Sequence, residues 1–128
     1  MSLKDALTVL VVDDMATSRG LIIQALTDIG IKKVSWERDG DAAFRSLQNQ
    51  PVHLIVSDQN MPGMTGLQLL HSVRNYTPTA KTGFILVTGS PDPKVLQQGV
   101  QIGLNNYLTK PFTTAQMKAC LERVVGKL

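Results

Sequence analysis

Three aspartates, a threonine and a lysine stand where hydrophobic runs of this chain stop. Asp13 and Asp14 follow the run 7–12, and Asp58 follows 53–57. Thr88 closes 83–88, and Lys110-Pro111 follows 106–109. If these runs are strands of one open parallel sheet, their ends share an edge. Three carboxylates, a hydroxyl and an ammonium then meet in one crevice. Carboxylates crowded together repel one another and need positive charge nearby. Mg²⁺ suits such a set: it prefers oxygen ligands, takes one or two carboxylates, and keeps sites for phosphate oxygens and water. A loop carbonyl just after Asp58 can add a ligand. Lys110 cannot coordinate a metal, so its natural partner is Asp58 or a phosphoryl group upon it. The Thr88 hydroxyl can donate to a phosphoryl oxygen. Asp58 is therefore the candidate phosphoacceptor, a carboxylate nucleophile able to form an aspartyl phosphate. Neither a P-loop nor a dinucleotide glycine motif occurs, so the donor is expected to be something other than ATP bound here. Any one of these aspartates could as well be a helix cap on the surface, and Asp14 is a candidate cap for the helix that follows it. The full set at successive strand ends points to a site.

The elements that must position these groups alternate. The run 7–12 is short, continuous and β-branched, as in a strand covered on both faces. Leu21, Ile22, Ala25, Leu26 and Ile29 recur at helical spacing, with Gly30 as a C-terminal glycine. Residues 34–37 read as a half-polar edge strand. Residues 40–49 read as a helix with Ala43, Phe44 and Leu47 inward, stopped by Pro51. A strand at 53–57 precedes a helix at 65–75. A strand at 83–88 precedes a helix from Pro93 to Ile102, ended by Gly103. Residues 106–109 form a short fifth strand. A helix at 113–127 closes the chain, with Met117, Leu121 and Val124 inward and Thr113 or Thr114 as N-cap. Five β-α units predict an α/β fold, a parallel sheet with helices on both faces. Five strands favour the flavodoxin-like order 2-1-3-4-5, whose switch point lies between strands 1 and 3. Those strands end in Asp13-Asp14 and Asp58, so predicted crevice and acidic cluster coincide. Residues 1–128 are expected to form a single domain.

The 128 residues are 43% hydrophobic and 18% charged, with a net charge of +3. The positive excess is scattered rather than striped along a helix, which places nucleic acid low among expected partners. No apolar run is long enough to span a membrane, and the start does not resemble a signal peptide, so the expected location is cytoplasmic with no membrane partner. Cys120 is the only cysteine; it reads as a partly buried structural thiol. His53 and His71 have no ligand-spaced companions. Met15, Met61 and Met64 flank the site and are expected to pack loops, with Met117 in the core.

The set Asp13-Asp14, Asp58, Thr88 and Lys110-Pro111 resembles the receiver domain of two-component response regulators, over essentially the whole chain. The stretches 58–66 and 107–112 are most similar to the stand-alone chemotaxis regulators of the CheY type. The resemblance implies that Asp58 takes a phosphoryl group from a phosphohistidine on a histidine kinase, the chemotaxis kinase CheA or one like it. It implies direct Mg²⁺ ligation by Asp13, Asp58 and the main-chain carbonyl of Asn60, with Asp14 acting through water. Lys110 then contacts the phosphoryl group, through a Lys110-Pro111 bond that is often cis. Thr88 and Tyr107 form the switch, and Tyr107 moves from an outward to an inward rotamer. The face made by the fourth helix, fifth strand and fifth helix then binds the flagellar switch protein FliM. That face carries Lys94, Leu96, Gln97, Leu104, Tyr107 and Cys120. Such proteins catalyse only their own phosphorylation and dephosphorylation, and a monomer is expected.

Three positions depart from the enteric chemotaxis protein. Gln59 replaces a tryptophan after Asp58. Gly89-Ser90 replaces alanine and glutamate after Thr88, which leaves open whether a dedicated phosphatase is a partner. Trp36 lies on strand two, where its fluorescence is expected to report metal or phosphate poorly. Three other readings stay open: a phosphate sink or shuttle to another regulator, a Mg²⁺-dependent phosphotransferase or phosphatase, and, more weakly, a piece of a transcription factor.

Overall fold

The computed structural model describes residues 2–128. Five strands form one parallel sheet: β1 (Thr8–Val12), β2 (Lys33–Glu37), β3 (Leu54–Asp58), β4 (Gly83–Thr88) and β5 (Asn106–Thr109). Their order is β2-β1-β3-β4-β5, as the alternation predicts. Five helices connect and cover them: α1 (Ala16–Ile29), α2 (Gly40–Asn49), α3 (Gly66–Arg74), α4 (Pro93–Gln101) and α5 (Thr114–Val125). A single helical turn, Leu3–Ala6, precedes β1, and a 3₁₀ turn at Thr77–Thr79 follows α3.

Side chains alternate across a strand, so each central strand feeds two cores. Val9 and Val11 of β1, Leu54 and Val56 of β3, and Ile85 and Val87 of β4 face α1 and α5. There they meet Ile22, Leu26, Met117 and Leu121. Leu10, Val12, Ile55, Phe84 and Leu86 face the other way, onto Ala43 and Leu47 of α2 and Leu69, Leu70 and Val73 of α3. Burying each large side chain contributes about 1.5–3 kcal/mol. This two-sided burial explains why the central strands read as unbroken apolar runs. β2 has one strand neighbour and no fully buried residue, as expected of its half-polar sequence.

Helix ends follow local chemistry. Thr65 and Thr113 both form capping boxes, with Gln68 and Gln116 reaching back. Asp39 caps α2 and Asp92 caps α4, each through a main-chain N–H. Three sequence expectations are corrected. Asp14 does not cap α1: the N-cap is Met15, which has no side-chain cap bond. α5 ends at Val125 rather than Lys127, because the chain turns out at Gly126 with φ 95°. Leu21 belongs by spacing to the apolar stripe of α1 yet is 63% exposed, at the margin of the face. Cys120, which the resemblance set among the residues of the outer face, is buried, as its reading as a structural thiol expects. Its thiol lies 3.5 Å from the Tyr107 carbonyl, and burial pushes its pKa up to about 11.

Gly66 binds the fold to the acidic edge. A Cβ at this position would stand 2.6 Å from the Asp58 carbonyl oxygen and 2.6 Å from Leu86 Cδ1. The missing side chain lets α3 start against the end of β3. In an open helix Gly→Ala would stabilise by roughly 1 kcal/mol. Here Gly66→Ala is expected to destabilise, by about 1–3 kcal/mol, and a urea unfolding curve gives the sign directly.

Candidate functional site

Strand register assembles the site. β1 and β3 pair with Val12 beside Ser57, so the next residues, Asp13 and Asp58, leave adjacent strands together. β3 pairs with β4 at Asp58 and Val87, one residue before Thr88. β4 pairs with β5 at Thr88 and Thr109, one residue before Lys110. Four polar residues thus stand in a row along one edge of the sheet, at the switch point between β1 and β3.

The acidic group is tight. Carboxylate oxygens of Asp13, Asp14 and Asp58 lie within 4.8 Å of one another. Asp13 is wholly buried and Asp58 nearly so, while Asp14 is exposed. Two sheltered carboxylates with a third open to water form a cup of hard oxygens with an entrance, which fits an Mg²⁺ ion that keeps some of its waters. Asn60 follows in the loop after β3, two residues beyond Asp58, and is exposed.

Lys110 supplies the nearest positive charge. Its ammonium donates to Asp58 Oδ1 at 3.2 Å and to Asp13 Oδ2 at 3.5 Å. The Lys110-Pro111 peptide is cis, and the Lys110 N–H donates to the Thr88 carbonyl at 2.9 Å. Thr88 is buried, and its hydroxyl accepts the Ser90 N–H at 3.2 Å rather than reaching Asp58. Tyr107 is 46% exposed, so its ring points outward. Met61 is buried and Met64 partly so, as expected, whereas Met15 stands in solvent.

Two residues at the site escape a reading of strand ends. Ser18 Oγ donates to Asp13 Oδ2 at 2.5 Å and accepts from Lys110 Nζ at 2.6 Å. Arg19 donates to the Asp13 carbonyl at 2.9 Å, and its guanidinium lies 3.9 Å over the Trp36 ring. Strand two therefore connects to the Asp13 loop through a cation–π contact. Neither residue carries a distinctive sequence signal. Both lie in the first turn of a helix, where Ser and Arg are common, and only the fold turns them back over the strand end.

The Asp58 carboxyl is held above its ordinary pKa. Burial is the chief cause and the Asp13 charge adds to it, while Lys110 and the Gln59 N–H pull the other way. A raised carboxyl pKa means that the folded state binds this proton more tightly than the unfolded state. The contribution to stability is present at low pH and is lost as pH rises through the folded pKa. In chelator at neutral pH, Asp58→Asn is expected to stabilise by about 1 kcal/mol. The gain should vanish as acid protonates Asp58, which thermal melts across pH will test.

The chain is similar to known proteins along its whole length. The response regulator receiver domain family matches residues 9–122. The probable chemotaxis protein CheY of Rhizobium etli is 43% identical over 128 residues, spanning 100% of this chain and 99% of the relative. Chemotaxis protein CheY of Pseudomonas aeruginosa is 33% identical over 120 residues, 94% of this chain and 97% of that one. Among solved structures, chemotaxis protein CheY4 of Vibrio cholerae has a TM-score of 0.86 at 32% identity, covering 93% of this chain and 98% of its own. The receiver domain of a sensor histidine kinase from Pseudomonas aeruginosa, with a magnesium ion coordinated in its active site cleft, has a TM-score of 0.84 at 26% identity, covering 94% and 98%. With its sheet order, its acidic edge and these likenesses in agreement, the chain belongs to the response regulator receiver domain family, whose members are signalling switches.

Proposed function

We propose that this chain is a phosphorylation-activated chemotaxis response regulator with Asp58 as phosphoacceptor. The observation that carries this reading is the Asp58 carboxylate beside Asp13, with the Lys110 ammonium 3.2 Å away. The full-length likeness to chemotaxis proteins supports the chemotaxis assignment. Asp13, Asp14, Asp58 and the Asn60 carbonyl would hold Mg²⁺, which when bound supplies charge that offsets the carboxylates and the incoming phosphoryl group. A phosphohistidine on a CheA-like kinase is the expected donor. An Asp58 oxygen attacks phosphorus, the P–O bond forms as the P–N bond breaks, and the freed imidazole nitrogen takes a proton. Lys110 stabilises the charge gathered on the phosphoryl oxygens. Water later attacks the phosphoryl group and returns Asp58 and inorganic phosphate.

The output follows from charge added in a confined place. A phosphoryl group on Asp58 brings acceptor oxygens to which the Thr88 hydroxyl, which only accepts the Ser90 N–H at rest, can donate its own proton. Thr88 turning inward frees space on the Tyr107 side, and a partner that selects the inward ring binds better. The surface concerned is α4, β5 and α5, and FliM is the partner proposed for it.

Two outcomes are expected. Acetyl phosphate with Mg²⁺ should add one phosphoryl group by mass spectrometry, and Asp58→Asn should add none; equal uptake by that variant removes Asp58 from its role. Beryllofluoride with Mg²⁺ should tighten binding of the FliM N-terminal peptide about tenfold or more. Unchanged affinity with beryllofluoride bound assigns the output to a phosphate sink or another partner.

A further inference from the structure

Ser18 sits in the first turn of α1 with its side chain turned toward the end of β1. Its hydroxyl has one proton to give. Donating it to Asp13 Oδ2 leaves a lone pair for Lys110. That contact, at 2.6 Å, is the shortest of the three the ammonium makes, against 3.2 Å to Asp58 and 3.5 Å to Asp13. The three oxygens match the three N–H bonds of an ammonium. The other Asp13 oxygen accepts the Met15 N–H at 3.0 Å, so both ends of that carboxylate are held and its plane is fixed.

A lysine side chain is long and flexible, and the Lys110 side chain is 25% exposed. Partly solvated ion pairs hold such chains weakly. A neutral hydroxyl, itself oriented by a buried carboxylate, adds a directional contact without competing for the ammonium's charge. We propose that Ser18 is a positioning residue for phosphoryl transfer to Asp58, holding the Lys110 ammonium beside the acceptor and fixing the plane of Asp13. The inference rests on the reading of Asp58 as acceptor. It adds a group from α1 to a site otherwise built from strand ends.

The test is a double-mutant cycle on the rate of phosphoryl uptake from acetyl phosphate at saturating Mg²⁺. The proteins are the unaltered chain, Ser18→Ala, Lys110→Met and the double variant. Alanine favours a helix at least as well as serine, so Ser18→Ala should stay folded, and circular dichroism checks this. Ser18→Ala is expected to slow uptake about tenfold, the scale on which groups orienting site ligands act. In the Lys110→Met background the same change should cost at least threefold less. Equal rates for the unaltered chain and Ser18→Ala overturn the proposal, and so does an identical slowing in both backgrounds. The same four proteins unfolded by urea in chelator give a readout that needs no donor. Non-additive midpoints are expected, and additive ones overturn the link between Ser18 and Lys110. If the unaltered chain takes up no phosphoryl group while the urea cycle shows coupling, the acceptor reading has failed and the Ser18–Lys110 link stands.

Discussion

Asp13 and Asp58 leave adjacent central strands side by side, largely hidden from water, where two ionised carboxylates repel and neither is well solvated. Much of the surrounding structure answers that conflict. Lys110 reaches both carboxylates, Ser18 and the Met15 N–H each bind Asp13, and Lys110 also closes on Ser18. The compensation is incomplete, because burial still holds Asp58 above its ordinary pKa. An incompletely compensated acidic pair is poised to accept positive charge. That links the resting electrostatics of the site to the metal-assisted phosphoryl chemistry proposed for it.

The sheet makes the conflict unavoidable. Parallel register aligns the ends of β1, β3, β4 and β5, and two apolar cores fix that register by burying alternate residues on opposite faces. A slip of one residue would turn each central strand inside out and scatter the four polar groups. Stability of the core and geometry of the site are therefore one constraint. Gly66 shows the same coupling at closer range, since α3 can begin against Asp58 only where a side chain is missing.

The β4–β5 end of the sheet sets a buried hydroxyl near a half-exposed ring. Tyr107 lies half in solvent one residue from Leu108, which packs into the core. Thr88, buried behind it, holds only a turn N–H through its hydroxyl. Arg74 contrasts with this. Its guanidinium binds the carbonyls of Ala80, Thr82 and Gly103 and the Asn105 side chain, pinning the end of α3 to the approach of β5.

The order of the elements, the sheet order and the gathering of Asp13, Asp14, Asp58, Thr88 and Lys110 were legible in the residues themselves. Strand ends in a parallel sheet share an edge, and apolar runs mark where strands end. Helix limits set by proline, glycine or a capping threonine were also legible, because those signals act within a few residues. Contacts made across the chain were not. Ser18 and Arg19 look like ordinary first-turn residues until α1 is laid against β1. Leu21 follows the apolar spacing of α1 yet is largely exposed. Cys120, set on the outer face by the resemblance alone, lies buried with its thiol 3.5 Å from the Tyr107 carbonyl. Sequence by itself determined which polar groups meet, since that depends on chain direction and strand ends. Tertiary structure alone decided which neighbours hold them and how deeply they are buried, since these depend on how helices lie across the sheet.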